Sequence, residues 1–284
     1  MNIMKSNYRT TQQIMRLILY VVLIALAFIF IFPFLLMILS SFKFNKDVLA
    51  VPVKIFPVAW NWGSYKSAFT YADYDFGRYF INSGIVVVFA VAFCIFLSTT
   101  AGYGFAKYKF KGNGVLFAVV LSTIMIPFEA ILVPLFLLVR SFNMQNTFAG
   151  LIIPQALTAF GVFMMRQFFF SMPDELIESA RIDGANEYLI FTKISFPIAR
   201  TAVLALIIFH AQYVWNMLVW PLTVISNPNM RTLPQAIALF SGVYYTPYPE
   251  QLAISVVSCL PLLILYLFLS KYFVQGIAMT GLKG

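Results

Sequence analysis

Five of the ten carboxylates of this chain fall within Ser171–Pro197, which reads SMPDELIESARIDGANEYLIFTKISFP. They are Asp174, Glu175, Glu178, Asp183 and Glu187, interleaved with Arg181 and Lys193. No H-E-x-x-H pattern or cysteine cluster accompanies them, so no metal site and no catalytic centre is expected. No G-x-x-x-x-G-K-[ST] loop occurs either, so the chain has no phosphate cradle of that kind for ATP. The chemistry open to the segment is electrostatic docking in water or against another protein, because charges this dense are costly in hydrocarbon. Outside it, ionisable groups in apolar surroundings are few: Glu129, His210 and the thiols Cys94 and Cys259. The thiols are expected to act as small apolar fillers. His210 is expected to be hydrogen-bonded among helices, and Glu129 to snorkel towards an outer surface.

The rest of the chain must hold that segment in place, and it is built for lipid. Of 284 residues, 61% are hydrophobic and only 10% charged, against about 25% charged in a soluble domain. Apolar runs, free of charge except for Glu129 in the third, separate the charged residues, and each is long enough to cross about 30 Å of hydrocarbon. They predict six spans near 17–42, 80–106, 114–139, 145–166, 201–222 and 251–270. The first has Lys5, Arg9 and Arg16 before it but is too long for a signal-peptide core, and is read as a retained helix. The expected fold class is therefore all-α and integral to the membrane, as one transmembrane domain over 1–284.

With the N-terminus inside, twelve of the nineteen Lys and Arg residues lie on the inner side, three of them in Lys107–Lys111. The positive-inside tendency then places both termini and Ser171–Pro197 in the cytoplasm of a multi-pass plasma-membrane protein. The net charge of +9 is accounted for by anionic lipid and needs no nucleic acid. The outer loop 43–78 carries Trp60 and Trp62, and a short helix is expected near Trp62–Thr70. The outer loop 223–250 is expected to be irregular. Pro33, Pro127, Pro134, Pro154, Pro221 and Pro261 fall inside the spans and are expected to kink some of them.

Within the polar segment, Ser171 and Asp174 read as a capping box. Leu176, Ile177 and Ala180 form an apolar stripe, and Gly184 permits a chain reversal. Asn186 then starts a second short helix, which Pro197 ends. The expected unit is a small amphipathic helix, a tight turn and a return to the membrane.

Glu178-Ser179-Ala180, Gly184 and Ile194-Ser195-Phe196-Pro197 resemble the E-A-A, G, I-x-L-P pattern of permease subunits of bacterial ABC importers, with Ser for the second Ala and Phe for Leu. Met165-Arg166-Gln167-Phe168-Phe169, Ile182-Asp183-Gly184-Ala185, Trp215-Asn216 with Trp220-Pro221-Leu222, and Thr232-Leu233-Pro234 resemble the carbohydrate branch. The ending Gly281-Leu282-Lys283-Gly284 is similar to that of the six-span permease subunit of the maltose transporter. The resemblance covers nearly the whole chain.

The resemblance implies a coupling helix between spans four and five, docked in a cleft of a cytoplasmic ATPase. Asp174, Glu175, Glu178, Ala180, Asp183, Gly184 and Ala185 are its candidate residues. It implies a second permease subunit, two ATPase subunits and an extracytoplasmic substrate-binding protein as partners. ATP and Mg would then be bound by the ATPases and no cofactor by this chain. Tyr103, Tyr213, Trp215 and Asn216 are candidates for the substrate pathway, because sugar sites combine aromatic faces with a few polar groups. In the family's maltose-type members most sugar contacts lie in the other permease. Tyr244, Tyr245, Tyr248 and Glu250 are candidates for contact with the binding protein, and the tail ending at Lys283 for contact with the ATPases. The expected function is import of a carbohydrate or related solute, by a transport subunit that is not itself an enzyme. Two alternatives stay open. One is a secondary transporter driven by an ion gradient; the other keeps the importer but takes glycerol-3-phosphate or an acidic oligosaccharide as solute.

Overall fold

A computed structural model describes residues 2–70, 75–240 and 246–280. Every regular element among the described residues is helical. In chain order these are α1 (Asn2–Ser41), α2 (Asn45–Val48), α3 (Gly63–Phe69), α4 (Phe76–Lys107) and α5 (Asn113–Ser122). There follow α6 (Phe128–Ser141), α7 (Phe148–Ile152), α8 (Ala159–Ser171), α9 (Glu175–Ile182) and α10 (Glu187–Leu189). The last are α11 (Phe196–Ile198), α12 (Arg200–Trp215), α13 (Val219–Val224), α14 (Leu233–Ala238) and α15 (Tyr248–Thr280).

Three helices are long and apolar enough to cross a membrane unbroken: Gln12–Ser41 of α1, Phe76–Lys107, and Tyr248–Ser270 of α15. Three more spans arise only if bent helix pairs are each taken as one. Asn113–Met125 and Phe128–Ser141 meet at 103°, Phe148–Gln155 and Ala159–Ser171 at 42°, and Glu187–Ile198 and Arg200–Trp215 at 72°.

Local chemistry explains these breaks. Pro127 constrains Ile126 to an extended conformation (φ −83°, ψ 115°), which ends the preceding turn. Thr158 caps α8 by accepting from the Gly161 amide at 3.0 Å, so the chain restarts there rather than continuing. The expected span 201–222 is corrected too: α12 stops at Trp215 and α13 begins afresh at Val219. In compensation, the helical path extends on the other side, back to Glu187. Pro197 does not end it, because it sits at the start of α11, where a missing amide does no harm. The expected irregular loop after α13 holds a 3₁₀ turn at Pro228–Met230 and then α14.

The chain divides into two compact units. One comprises Met1–Ala72 and Phe240–Val257. In it, α3 forms near its expected place, and Phe42 packs edge-on against Trp62 at 4.8 Å. The other comprises Asp73–Leu239 and Ser258–Gly284. Its backbone is the crossing of α4 with α8, the most extensive helix contact described. Gly102 allows it: a Cβ there would come within 2.7 Å of the Met165 Cβ. Small residues at such a crossing let two membrane helices approach closely. Asn82 of α4 donates to the carbonyls of Asn229 and Arg231, both at 2.9 Å, tying the segment after α13 back to the helix.

Candidate functional site

The polar segment folds as α9, a tight reversal and the α10–α11 path. Ser171 does not cap α9. It ends α8 and bonds back to the Phe168 carbonyl, while Asp174 takes the cap position without a side-chain cap bond. The reversal is a Schellman arrangement: the Gly184 amide donates to the Arg181 carbonyl (3.0 Å) and the Ala185 amide to the Ala180 carbonyl (2.9 Å). Gly184 has φ +83°, a region that L side chains enter at a cost of roughly 1–2 kcal/mol. Asn186 then caps α10, its side chain accepting from the Leu189 amide at 2.9 Å.

Two of the three residues of the α9 apolar stripe face inward, and Leu176 faces outward. Ile177 and Ala180, 3% and 8% exposed, pack into a core with Tyr103, Phe169 and Ile190. Ala185 packs against the same core. Ala180 is thus an anchor of the helix rather than a surface residue. Outward, α9 presents Glu175, Leu176 and Glu178, then Ile182, which is 86% exposed, and Asp183. Tyr188 continues this face on α10.

Four side chains that sequence reading did not assign hold the segment to the end of α4. The Lys107 side chain is 4% exposed. It donates to the Met172 carbonyl and to Asp174 Oδ1, both at 2.6 Å. Glu187 joins two others: Arg181 Nε donates to Oε1 at 2.7 Å, and the Tyr108 hydroxyl donates to Oε2 at 2.6 Å. The Lys107 ammonium holds the Asp174 carboxyl below its ordinary range. Arg181, and then Tyr108, do the same for Glu187. Burial and the Glu187 carboxylate push the Tyr108 phenol up to about 12. The only sequence sign of this network was the cluster Lys107–Lys111, whose partners lie far along the chain.

The four pathway candidates are not brought together. Tyr103 is buried, its ring 5.3 Å from Phe169 and 5.1 Å from Phe191, so it belongs to the core beneath α9. Trp215 and Asn216 line one cavity of about 210 Å³ with Leu233 and Pro234. Trp215 Nε1 donates to the Ser258 carbonyl, and Asn216 bonds within its own helix to the Gln212 carbonyl. Tyr213 faces a different cavity. Of the binding-protein candidates, Tyr244 and Tyr245 lie outside the described residues, as does the tail 281–284. Tyr248 and Glu250 are half-buried. The Tyr248 amide donates to Asn45 Oδ1, and Glu250 accepts from Ser67.

Residues 95–279 match the family described as binding-protein-dependent transport system inner membrane component. The chain is 33% identical over 254 residues to the arabinooligosaccharides transport system permease protein AraQ of Bacillus subtilis (strain 168), covering 89% of this chain and 90% of that one. It is 33% identical over 238 residues to the diacetylchitobiose uptake system permease protein NgcG of Streptomyces coelicolor, covering 82% and 78%. It is 28% identical over 239 residues to the sn-glycerol-3-phosphate transport system permease protein UgpE of Pectobacterium atrosepticum, covering 82% and 85%. In fold it resembles a chain from the crystal structure of a bacterial ABC transporter involved in the import of the acidic polysaccharide alginate. That match has a TM-score of 0.79 at 24% identity, covering 93% of this chain and 98% of that one.

Proposed function

Since the chain belongs to the binding-protein-dependent transport system inner membrane components, and is a multi-pass ABC permease subunit rather than an enzyme, we propose that it imports a carbohydrate. In this reading it forms the membrane pathway with a second permease subunit. Two ATPase subunits bind ATP and Mg on the cytoplasmic face, and an extracytoplasmic binding protein delivers the solute. Relatives named for arabinooligosaccharides and diacetylchitobiose support a sugar oligomer as the solute.

The observation that carries this reading is the construction of α9. Its inward face is locked to the core by Ile177 and Ala180, and its ends are tied to α4 by Lys107 and to α10 by Glu187. A helix held at both ends moves with the bundle as a lever. Its outward face, with Leu176 and Ile182 between carboxylates, is the kind of surface a hydrophobic groove accepts. ATPase closure would push α9, and α9 would pass the displacement to α8 and α12. Solute crosses only if the ATP-bound state and the resting state differ in affinity for it. In this reading α9, the inner end of the third bent pair and both termini lie on the cytoplasmic side.

The test is reconstitution of the full importer with its binding protein. Burying an isoleucine side chain stabilises an interface by roughly 1.5–3 kcal/mol. Ile182→Asp should therefore lower binding-protein-stimulated ATP hydrolysis by about tenfold or more. The variant complex should still insert in the membrane. Undiminished stimulation would remove α9 from the ATPase contact.

A further inference from the structure

All three broken spans border a single cavity of about 440 Å³, two of them at their bends. Thr123 stands just before the 103° bend, and Thr158 and Phe160 just after the 42° bend. Phe209, His210 and Tyr213 of α12 close the opposite wall. Thr123, Thr158 and His210 lie about ten to thirteen residues from the polar ends of α5, α8 and α12. At 1.5 Å per residue this is about 15–20 Å into the helix bundle, near the middle of a hydrocarbon layer about 30 Å thick.

Interrupted helix at this depth leaves backbone groups without partners. It is tolerated where protein covers it or where it lines a wet cavity. Here this chain does not cover it, since Met125 and Ile126 at the sharper bend are exposed. The opposite wall supplies polar groups at the same level. His210 is only 4% exposed, and its Nε2 lies 2.9 Å from the Gln155 carbonyl. A carbonyl only accepts, so Nε2 carries a hydrogen and Nδ1 is left for another partner. The Tyr213 ring stacks on the imidazole at 6.1 Å, with its phenol half-exposed beside it. Glu129, in the first turn of α6, lies within electrostatic reach of that phenol.

A lipid chain filling the cavity would leave His210 Nδ1 and the Tyr213 phenol without partners, which is costly. A sugar ring satisfies both kinds of surface: its C–H faces pack on Phe160, Phe209 and Tyr213, and its hydroxyls bond to the polar groups. No lysine or arginine lines the cavity, and a carboxylate stands beside it, so an anionic solute would be repelled. We propose that this cavity is a solute-binding station within the subunit itself, taking a neutral sugar, with His210 and Tyr213 as its recognising side chains. The proposal rests on the carbohydrate-importer reading above and adds that this permease, and not only its partner, holds the solute in transit.

The test uses the full importer in proteoliposomes with its binding protein, and arabinotriose as the probe. In a Cys259→Ser background, Thr123→Cys should react with a membrane-impermeant methanethiosulfonate cation. Lack of reaction would mean a lipid-filled cavity and overturn the proposal. Tyr213→Phe and His210→Gln should each lower the arabinotriose imported per ATP hydrolysed about threefold to tenfold, as loss of one hydrogen bond implies. An unchanged ratio in both variants would also overturn it. If a variant fails to assemble, the Thr123→Cys reaction decides. Failure of the unmutated complex to import arabinotriose would count against that solute, while water access at Thr123→Cys would still decide the cavity.

Discussion

The segment around α9 and the cavity walled by α5, α8 and α12 are two polar regions of one compact unit, and they are satisfied in different ways. At α9 the charges find each other: Lys107 meets Asp174, and Arg181 and Tyr108 both meet Glu187. What is left outward sets Leu176, Ile182 and Tyr188 among the carboxylates Glu175, Glu178 and Asp183. Around the cavity, Thr123 and Thr158 bond to nearby backbone and His210 Nε2 to the Gln155 carbonyl, which leaves His210 Nδ1 and the Tyr213 phenol for another partner. The difference separates a surface built to be held still from one built to hold something else. Internal pairing fixes a helix in one orientation and so transmits force. Unspent hydrogen-bonding capacity at membrane depth calls for a partner that comes and goes.

The comparison breaks most easily at the reversal after α9. Gly184→Leu meets open space, with no atom within 4 Å of the added Cβ, so its penalty is backbone strain alone, about 1–2 kcal/mol. If α9 must hold one orientation, Gly184→Leu should cut binding-protein-stimulated ATP hydrolysis about tenfold. Gly184→Asn, which tolerates positive φ, should recover most of it. Equal losses in both would point to a side-chain contact instead of strain. The next effect is Lys107→Ala. It leaves the buried Met172 carbonyl without its donor, a loss of about 1–3 kcal/mol, and should lower the thermal midpoint of the purified complex and weaken coupling several-fold. Lys107→Arg should preserve both more nearly.

Glu187→Gln should have a smaller effect, within about 1 kcal/mol, because the Arg181 pair is half-exposed and screened. It removes charge while keeping an acceptor for Tyr108, so the Tyr108 phenol, held at about 12, should titrate at lower pH. NMR of a ring-labelled tyrosine at that position would read the shift. Acidification gives the mildest test. The Asp174 and Glu187 carboxyls titrate below their ordinary 3.8 and 4.5. Their anchoring is therefore complete above those values and lost only as pH falls through the depressed ones. Assembly of ATPase on permease, followed by sedimentation, should be flat from pH 7 down to about 5 and weaken only below about 4. Weakening already between pH 7 and 6 would implicate a different group.

Much of the α9 region is legible in sequence. Gly184 in a polar turn, Asn186 before a helix and the density of carboxylates each act through neighbours a few residues away, and the described backbone places the reversal and the cap at those residues. The face of α9 was not legible. Leu176, Ile177 and Ala180 are equally plausible as one stripe, but only contact with Tyr103 and Phe169 turns Ile177 and Ala180 inward and leaves Leu176 out. Nor was Lys107 legible as an anchor, because Asp174 and Met172 reach it only once α4 lies along α8.

From the sequence alone follow the membrane-bound, all-helical character, the placement of three unbroken spans and the polar segment between them, because transfer of apolar and charged groups between water and hydrocarbon is set by residue type and run length. The tertiary structure decided where the other spans break, which side of α9 is presented and which polar groups surround the cavity. Those depend on contacts between helices distant in the chain, such as the close approach of α4 and α8 at Gly102, and residue type records how much surface leaves water but not what it comes to face.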